Sequence, residues 1–126
     1  MFLGAHILLY STNADADRAF VRDVLGFKWV DVGRGWLIFK LPPAEAAVHP
    51  SDDDKAPEPA EHRMAGAVLY LMCKDLKETI SALASRGVRC TEIAREPWGI
   101  RTAVPLPSGA EIGLYQPTHP TALDLA

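Results

Sequence analysis

The sequence predicts an α+β fold built from two successive βαβββ modules, and three observations carry that prediction. A short apolar run, an amphipathic stretch and three β-type runs follow one another twice along the chain. Each amphipathic stretch stops at a glycine, Gly26 in the first half and Gly87 in the second. Between the halves lies an acidic, proline-rich segment, PSDDDKAPEPAEHR, with almost no large apolar side chains. The chain has 126 residues, 48% hydrophobic and 23% charged, enough for one core and too few for two. The expected division is module one at 1–49, linker at 50–63, module two at 64–117 and a tail at 118–126, all within a single domain.

The elements follow in order. Leu3 to Tyr10 (LGAHILLY) is short and apolar and runs into Ser11, Thr12 and Asn13, as a buried strand leading into a helix cap would. From Asp15 to Leu25 the residues Ala16, Ala19, Phe20, Val24 and Leu25 recur near a helical period with charges between them. Phe27–Val32, Trp36–Leu41 and Glu45–His49 then read as three strands, separated by Gly33-Arg34-Gly35 and by Pro42-Pro43. In the second half Ala65–Cys73 repeats the apolar strand, and Leu76–Arg86 carries the helical stripe Leu76, Ile80, Leu83, Ala84. Val88–Ile93, Gly99–Val104 and Ala110–Gln116 complete the set, the last two joined by a turn around Pro105, Pro107, Ser108 and Gly109. Two such modules place their sheets side by side as a curved mixed cup with helices outside, each sheet keeping one face free to line a cavity.

Composition narrows the function. A net charge of −3 offers no basic face for a run of phosphates, which argues against nucleic acid as a partner. No window approaches the roughly 18 apolar residues of a membrane span, and the start lacks a basic n-region and cleavage site, so a cytoplasmic protein is expected. Cys73 and Cys90 lack CxxC spacing and read as reduced, buried thiols. A phosphate-binding glycine loop, a nucleophile elbow and HExxH are all missing, against phosphotransferase, hydrolase and zincin chemistry.

The segments FVRDVLGFKWV, VLYLMCKDLKETISALASRGV and EPWGIRTAVPLPSGAEIGLYQP, in this order and at this spacing, resemble the vicinal oxygen chelate superfamily, which comprises glyoxalases, bleomycin-resistance proteins and dioxygenases. The resemblance covers nearly the whole chain. It implies paired βαβββ modules around an open cup, often one divalent metal ion (Mn, Fe, Ni or Zn are the candidates), a small-molecule ligand and a homodimer. The chemistries in that family are diverse, so the fold does not choose among them.

What the resemblance implies for a metal site is partial. His6 falls on the first-strand ligand position. On the last strand of module one, Glu45 and His49 share a face, and either fits the ligand slot. In module two the corresponding positions fall on Val68 and Gly113, which cannot coordinate a metal. Glu111, two residues before Gly113, shares its face, so His6, His49 (or Glu45) and Glu111 form the candidate ligand set, completed by water or substrate. Each has a plainer alternative: His6 as a hydrogen-bonded core histidine, Glu45 and His49 as solvated loop-border groups, Glu111 paired with an arginine on a neighbouring strand.

Other residues point to ligand contacts. Trp98 offers a broad apolar face and Arg101 a planar cation, a pair suited to a flat or anionic molecule; alternatively Trp98 fills the core and Arg101 pairs with Glu96 or Glu111. Tyr70 shares a face with Val68 and would line the cup, its hydroxyl orienting a ligand or donating a proton. Two functions follow. One is a metal-dependent enzyme, an isomerase, lyase or dioxygenase, in which Glu111, Glu45 or Tyr70 moves a proton. The other is a metal-free binding or sequestration protein that stacks its ligand on Trp98 and Trp36 beside Arg101.

Overall fold

A computed structural model describes residues 1–50 and 66–125. The expected linker lies almost wholly outside the described residues, as does His62. Among the described residues two helices and two sheets are formed, in the order α1 (Ala14–Asp23), β1 (Trp29–Asp31), β2 (Leu37–Phe39), β3 (Tyr70–Met72), α2 (Leu76–Ala84), β4 (Ala94–Glu96), β5 (Gly99–Pro105) and β6 (Glu111–Pro117). The fold is therefore α+β with open sheets, as the sequence predicts.

Both helices begin and end where their sequences direct. The Asn13 carboxamide oxygen accepts from the Ala16 amide at 3.4 Å, and Asp75 Oδ1 accepts from the Glu78 amide at 3.1 Å, each meeting one of the orphan donors of a first turn. Gly26 (φ 74°) and Gly87 (φ 82°) follow the helices in the left-handed region, where a side chain would be strained. Leu76 leads α2 into the interior and is 2% exposed.

The second half builds a four-stranded mixed sheet in the order β3-β6-β5-β4, with β3 and β6 parallel and the other pairs antiparallel. Alternation sorts its side chains onto two faces. Leu71, Ile100, Thr102, Val104, Ile112 and Leu114 fall on one, and α2 packs there: Leu76, Leu83, Val88, Val104 and Leu114 form the core cluster. The other face carries Tyr70, Met72, Glu96, Arg101, Ala103, Glu111, Gly113 and Tyr115. Helix α1 and the two residues after it close the same core from outside, through Phe20, Val24 and Leu25.

Two links fasten α1 to the second half. Asp17, 7% exposed, accepts from the Ser108 amide at 2.9 Å and from the Ser108 hydroxyl at 2.7 Å. Burial works against the Asp17 charge, but hydrogen bonds from Ser108 and Ser11 outweigh it and hold the carboxyl below its usual value. Arg86 Nη1 donates to the Val24 carbonyl at 2.9 Å.

Several expected strands are corrected. Leu3–Tyr10 forms no strand, and Met1–Tyr10 is exposed throughout. Glu45–His49 forms no strand either. In the second half the first strand of a module is held by the last, β3 on β6, so failure of one removes the partner of the other. The Glu45–His49 run is alanine-rich and bounded by Pro42, Pro43 and Pro50, residues that disfavour a ladder. Val88–Ile93 is also not a strand as expected; the strand falls at Ala94–Glu96. Thr91 nonetheless ties that segment to β5, exchanging backbone and hydroxyl hydrogen bonds with Thr102 and Ala103. Cys73 and Cys90 are free thiols as expected, but only partly buried, and burial pushes both above the usual thiol value.

Candidate small-molecule site on the open sheet face

The open face of the four-stranded sheet gathers three aromatic rings from three different places. Tyr70 comes from β3, Tyr115 from β6 and Trp98 from the β4–β5 connection. Their ring centroids lie 5.7 Å (Tyr70–Trp98), 5.5 Å (Tyr70–Tyr115) and 5.2 Å (Trp98–Tyr115) apart, with planes crossing at 74°, 81° and 75°. Edge-to-face packing at these distances sets the positive rim of one ring against the negative face of the next.

Local sequence explains each placement. Tyr70 stands opposite Gly113 in the β3–β6 register, and its ring covers that glycine: a Cβ there would come within 2.5 Å of Tyr70 Cε1. Only glycine leaves the ring room. Gly99 is required for a similar reason, because a Cβ on it would meet the Gln116 carbonyl oxygen at 2.5 Å. That close approach starts β5 immediately after Trp98. The Thr118 amide then donates to the Trp98 carbonyl at 3.0 Å and the Thr118 hydroxyl to the Pro97 carbonyl at 3.1 Å, fixing the loop.

Two further groups bear on the rings. His119 stacks on Tyr115 with centroids 6.0 Å apart and planes at 26°. Its Nδ1 lies 2.7 Å from the Pro120 carbonyl, which can only accept, so in the neutral ring Nδ1 carries the proton and Nε2 accepts from the Tyr115 hydroxyl at 3.0 Å. Glu45 is the second: its Oε1 is shut off from solvent and has no hydrogen-bond partner among the described residues. Burial pushes the Tyr115 hydroxyl up from its ordinary value, and the negative charge of Glu45 and the neighbouring Tyr70 push it further.

Of the residues expected from the sequence, Tyr70 and Trp98 are brought together, and Glu45 lies near enough for its charge to act on the Tyr115 hydroxyl. Arg101 lies on the same face but takes the plainer alternative, its Nε and Nη2 each 3.1 Å from Glu96 Oε1. Trp36 belongs elsewhere, with the Arg18 guanidinium 4.6 Å from its ring centroid. Beside it, α1 and the β1–β2 hairpin bound a shallow hollow of about 310 Å³, lined by Arg18, Arg22, Trp29 and Asp31 among others. Glu111 is exposed at the start of β6, four residues from Tyr115 and so about 13 Å along the strand.

The expected ligand set is not assembled. His6 is exposed, and exposed His49 directs Nδ1 to the Pro50 carbonyl at 2.6 Å. Among the described residues no three His, Cys, Asp or Glu side chains are grouped to hold a metal ion. Val68 is exposed ahead of β3, and the space over Gly113 is filled by the Tyr70 ring. The donors among the described residues therefore do not fit a metal.

Sequence reasoning missed Tyr115 and His119. Tyr115 was within reach, since it follows Gly113 by two residues on one strand and must share its face. His119 lies in the tail, where no periodicity marks it.

Comparison with known proteins places the chain in a family. The model of the Glyoxalase/Bleomycin resistance protein/Dioxygenase superfamily matches residues 5–114. No curated protein matches the chain. Among solved structures, it is similar to TnmS3, an antibiotic binding protein from Streptomyces sp. CB03234, with a TM-score of 0.59 and 23% identity over 94% of this chain and 100% of that one. It is similar also to the lactoylglutathione lyase from Agrobacterium tumefaciens (TM-score 0.57, 20% identity, 91% and 96% covered). A glyoxalase family protein from Enterococcus faecalis gives a TM-score of 0.57 at 20% identity, with 90% and 98% covered. The match of the family model over most of the chain shows that this protein belongs to the glyoxalase/bleomycin resistance protein/dioxygenase superfamily.

Proposed function

We propose that the chain binds a small organic molecule on the open face of its four-stranded sheet, through Tyr70, Trp98 and Tyr115, and that it needs no resident metal ion to do so. One observation carries the reading: the Tyr70 ring occupies the space over Gly113, the position that the resemblance assigns to a final ligand. Aromatic surface stands where a carboxylate would have to stand. Such a surface, with a few polar groups at its edge, suits an organic ligand. The likeness to an antibiotic binding protein supports the same reading.

Elemental analysis before and after addition of Mn, Fe, Ni and Zn salts, alongside His6→Ala, tests the metal half. Metal-free protein is expected; stoichiometric metal lost in His6→Ala would overturn the reading and favour the isomerase or dioxygenase alternative. A thermal-shift screen of small aromatic and drug-like compounds tests the other half. Stabilisation present in the native chain and absent in Tyr70→Ala and Trp98→Ala is the expected result.

The assembly we propose is a homodimer. Leu3, Ile7, Leu8, Leu9 and Tyr10 present an exposed apolar run, and packing against a second copy would remove that surface from water. Light scattering on the purified chain reads the mass directly, and a monomer at micromolar concentration would refute the dimer.

A further inference from the structure

Accepting the ligand-binding reading above, the charge the ligand must carry can be specified. The residue that suggested an anionic ligand, Arg101, is held by Glu96 on the same face, so its charge is balanced locally. The carboxylate near the aromatic rings is not so placed. Glu45 Oε1 is closed to solvent with no hydrogen-bond partner among the described residues, and its charge is felt at the Tyr115 hydroxyl. A buried carboxylate oxygen without a donor is costly, and a cation or donor brought to it by a ligand would remove that cost.

The rings supply the rest of the recognition chemistry. Three planes crossing at 74°, 81° and 75° stand nearly as the faces of a box corner do. Tyr70 and Trp98 remain 36% and 37% exposed, so a ligand can reach them. Aromatic faces attract an organic ammonium through their negative quadrupole, more strongly once water is excluded. A hard inorganic cation is a poor fit, because it demands several oxygen ligands.

We infer that the corner formed by Tyr70, Trp98 and Tyr115, together with the Glu45 carboxylate, recognises an organic ammonium group, quaternary or a protonated amine, on the bound molecule.

Ligand-observed NMR titration of the full chain with choline, its neutral carbon isostere 3,3-dimethylbutan-1-ol and benzoate isolates the effect of charge. Choline is expected to bind roughly tenfold more tightly than the isostere, with benzoate weakest. Glu45→Gln, which keeps the shape, should abolish choline's advantage and leave the isostere unchanged. Trp98→Ala should weaken both. If the isostere or benzoate binds as well as choline, and Trp98→Ala still abolishes binding, the ammonium assignment fails while the aromatic site stands. If no probe binds, or Trp98→Ala changes nothing, both fail.

Discussion

The two halves of this chain carry the same order of sequence signals and make unequal structures. The second half forms a four-stranded sheet with a helix on one face, and Leu76, Leu83, Val88, Val104, Leu106, Ile112, Leu114 and Tyr115 are buried there. The first half contributes a helix and a two-stranded hairpin, with Trp29, Val30, Val32 and Trp36 exposed. The difference teaches that a βαβββ module depends on the pairing of its first strand with its last. EIGLYQP, free of internal proline and rich in large side chains, holds β3 in parallel. AEAAVH, between prolines, forms no strand, and LGAHILLY pairs with none among the described residues. The halves still share one core, because α1 and the two residues after it bring Phe20, Val24 and Leu25 to the sheet of the other half.

The comparison can be broken most directly by truncating one apolar side chain in each half. Leu76→Ala should cost about 2–5 kcal/mol in urea unfolding, since it empties a fully enclosed position. Leu8→Ala, at an exposed site, should stay within about 0.5 kcal/mol in the monomer. Equal costs would mean that the first segment is as buried in solution as the core.

The joint between the halves comes next. Asp17→Ala should destabilise by about 1–3 kcal/mol, because it leaves the Ser108 amide and hydroxyl without their acceptor. Ser108→Ala should overlap with it, so the double variant should cost less than the two losses added. A pH series sharpens this. The Asp17 carboxyl sits below its ordinary value of 3.8, so its contribution is complete above that value and disappears as pH falls through the lowered one. Asp17→Asn should flatten that acid limb, and an unaltered limb would show that the link is not made.

An effect of similar size is expected on the open face. Gly113→Ala sets a Cβ against the Tyr70 ring and should cost about 1–3 kcal/mol, falling towards zero in a Tyr70→Ala background. Cost that persists without the ring would mean that backbone, and not Tyr70, requires the glycine. Arg101→Ala should have a smaller effect, within about 1 kcal/mol, because its ion pair with Glu96 is partly solvated. A larger loss in chemical unfolding would show that the pair is integral to the sheet.

How far the sequence could be read varies from residue to residue. Both helices, the cap at Asn13 and the glycine stops were legible, because the signals lie within one turn of the residues they govern. Tyr70 was read as a cup residue from strand alternation, and Trp98 was read with two outcomes open, holding a ligand at the rim or filling the core. Arg101 was read with two outcomes open, and a neighbour five residues away decided between them. The fate of His6 was not legible: its strand required a partner roughly forty residues on, and nothing in LGAHILLY states whether that partner forms.

By itself, the sequence determined the α+β class, the two helices and the hairpin around Gly33 and Gly35, since periodicity, caps and turn residues act locally, and three of its segments resembled the family whose model matches residues 5–114. Tertiary structure alone decided which strands found partners, that Tyr70 would lie over Gly113, that His119 would meet Tyr115 and that the Glu45 charge would act on the Tyr115 hydroxyl. Those outcomes join residues far apart in the chain, where pairing depends on both segments at once and on what each loses by staying in water.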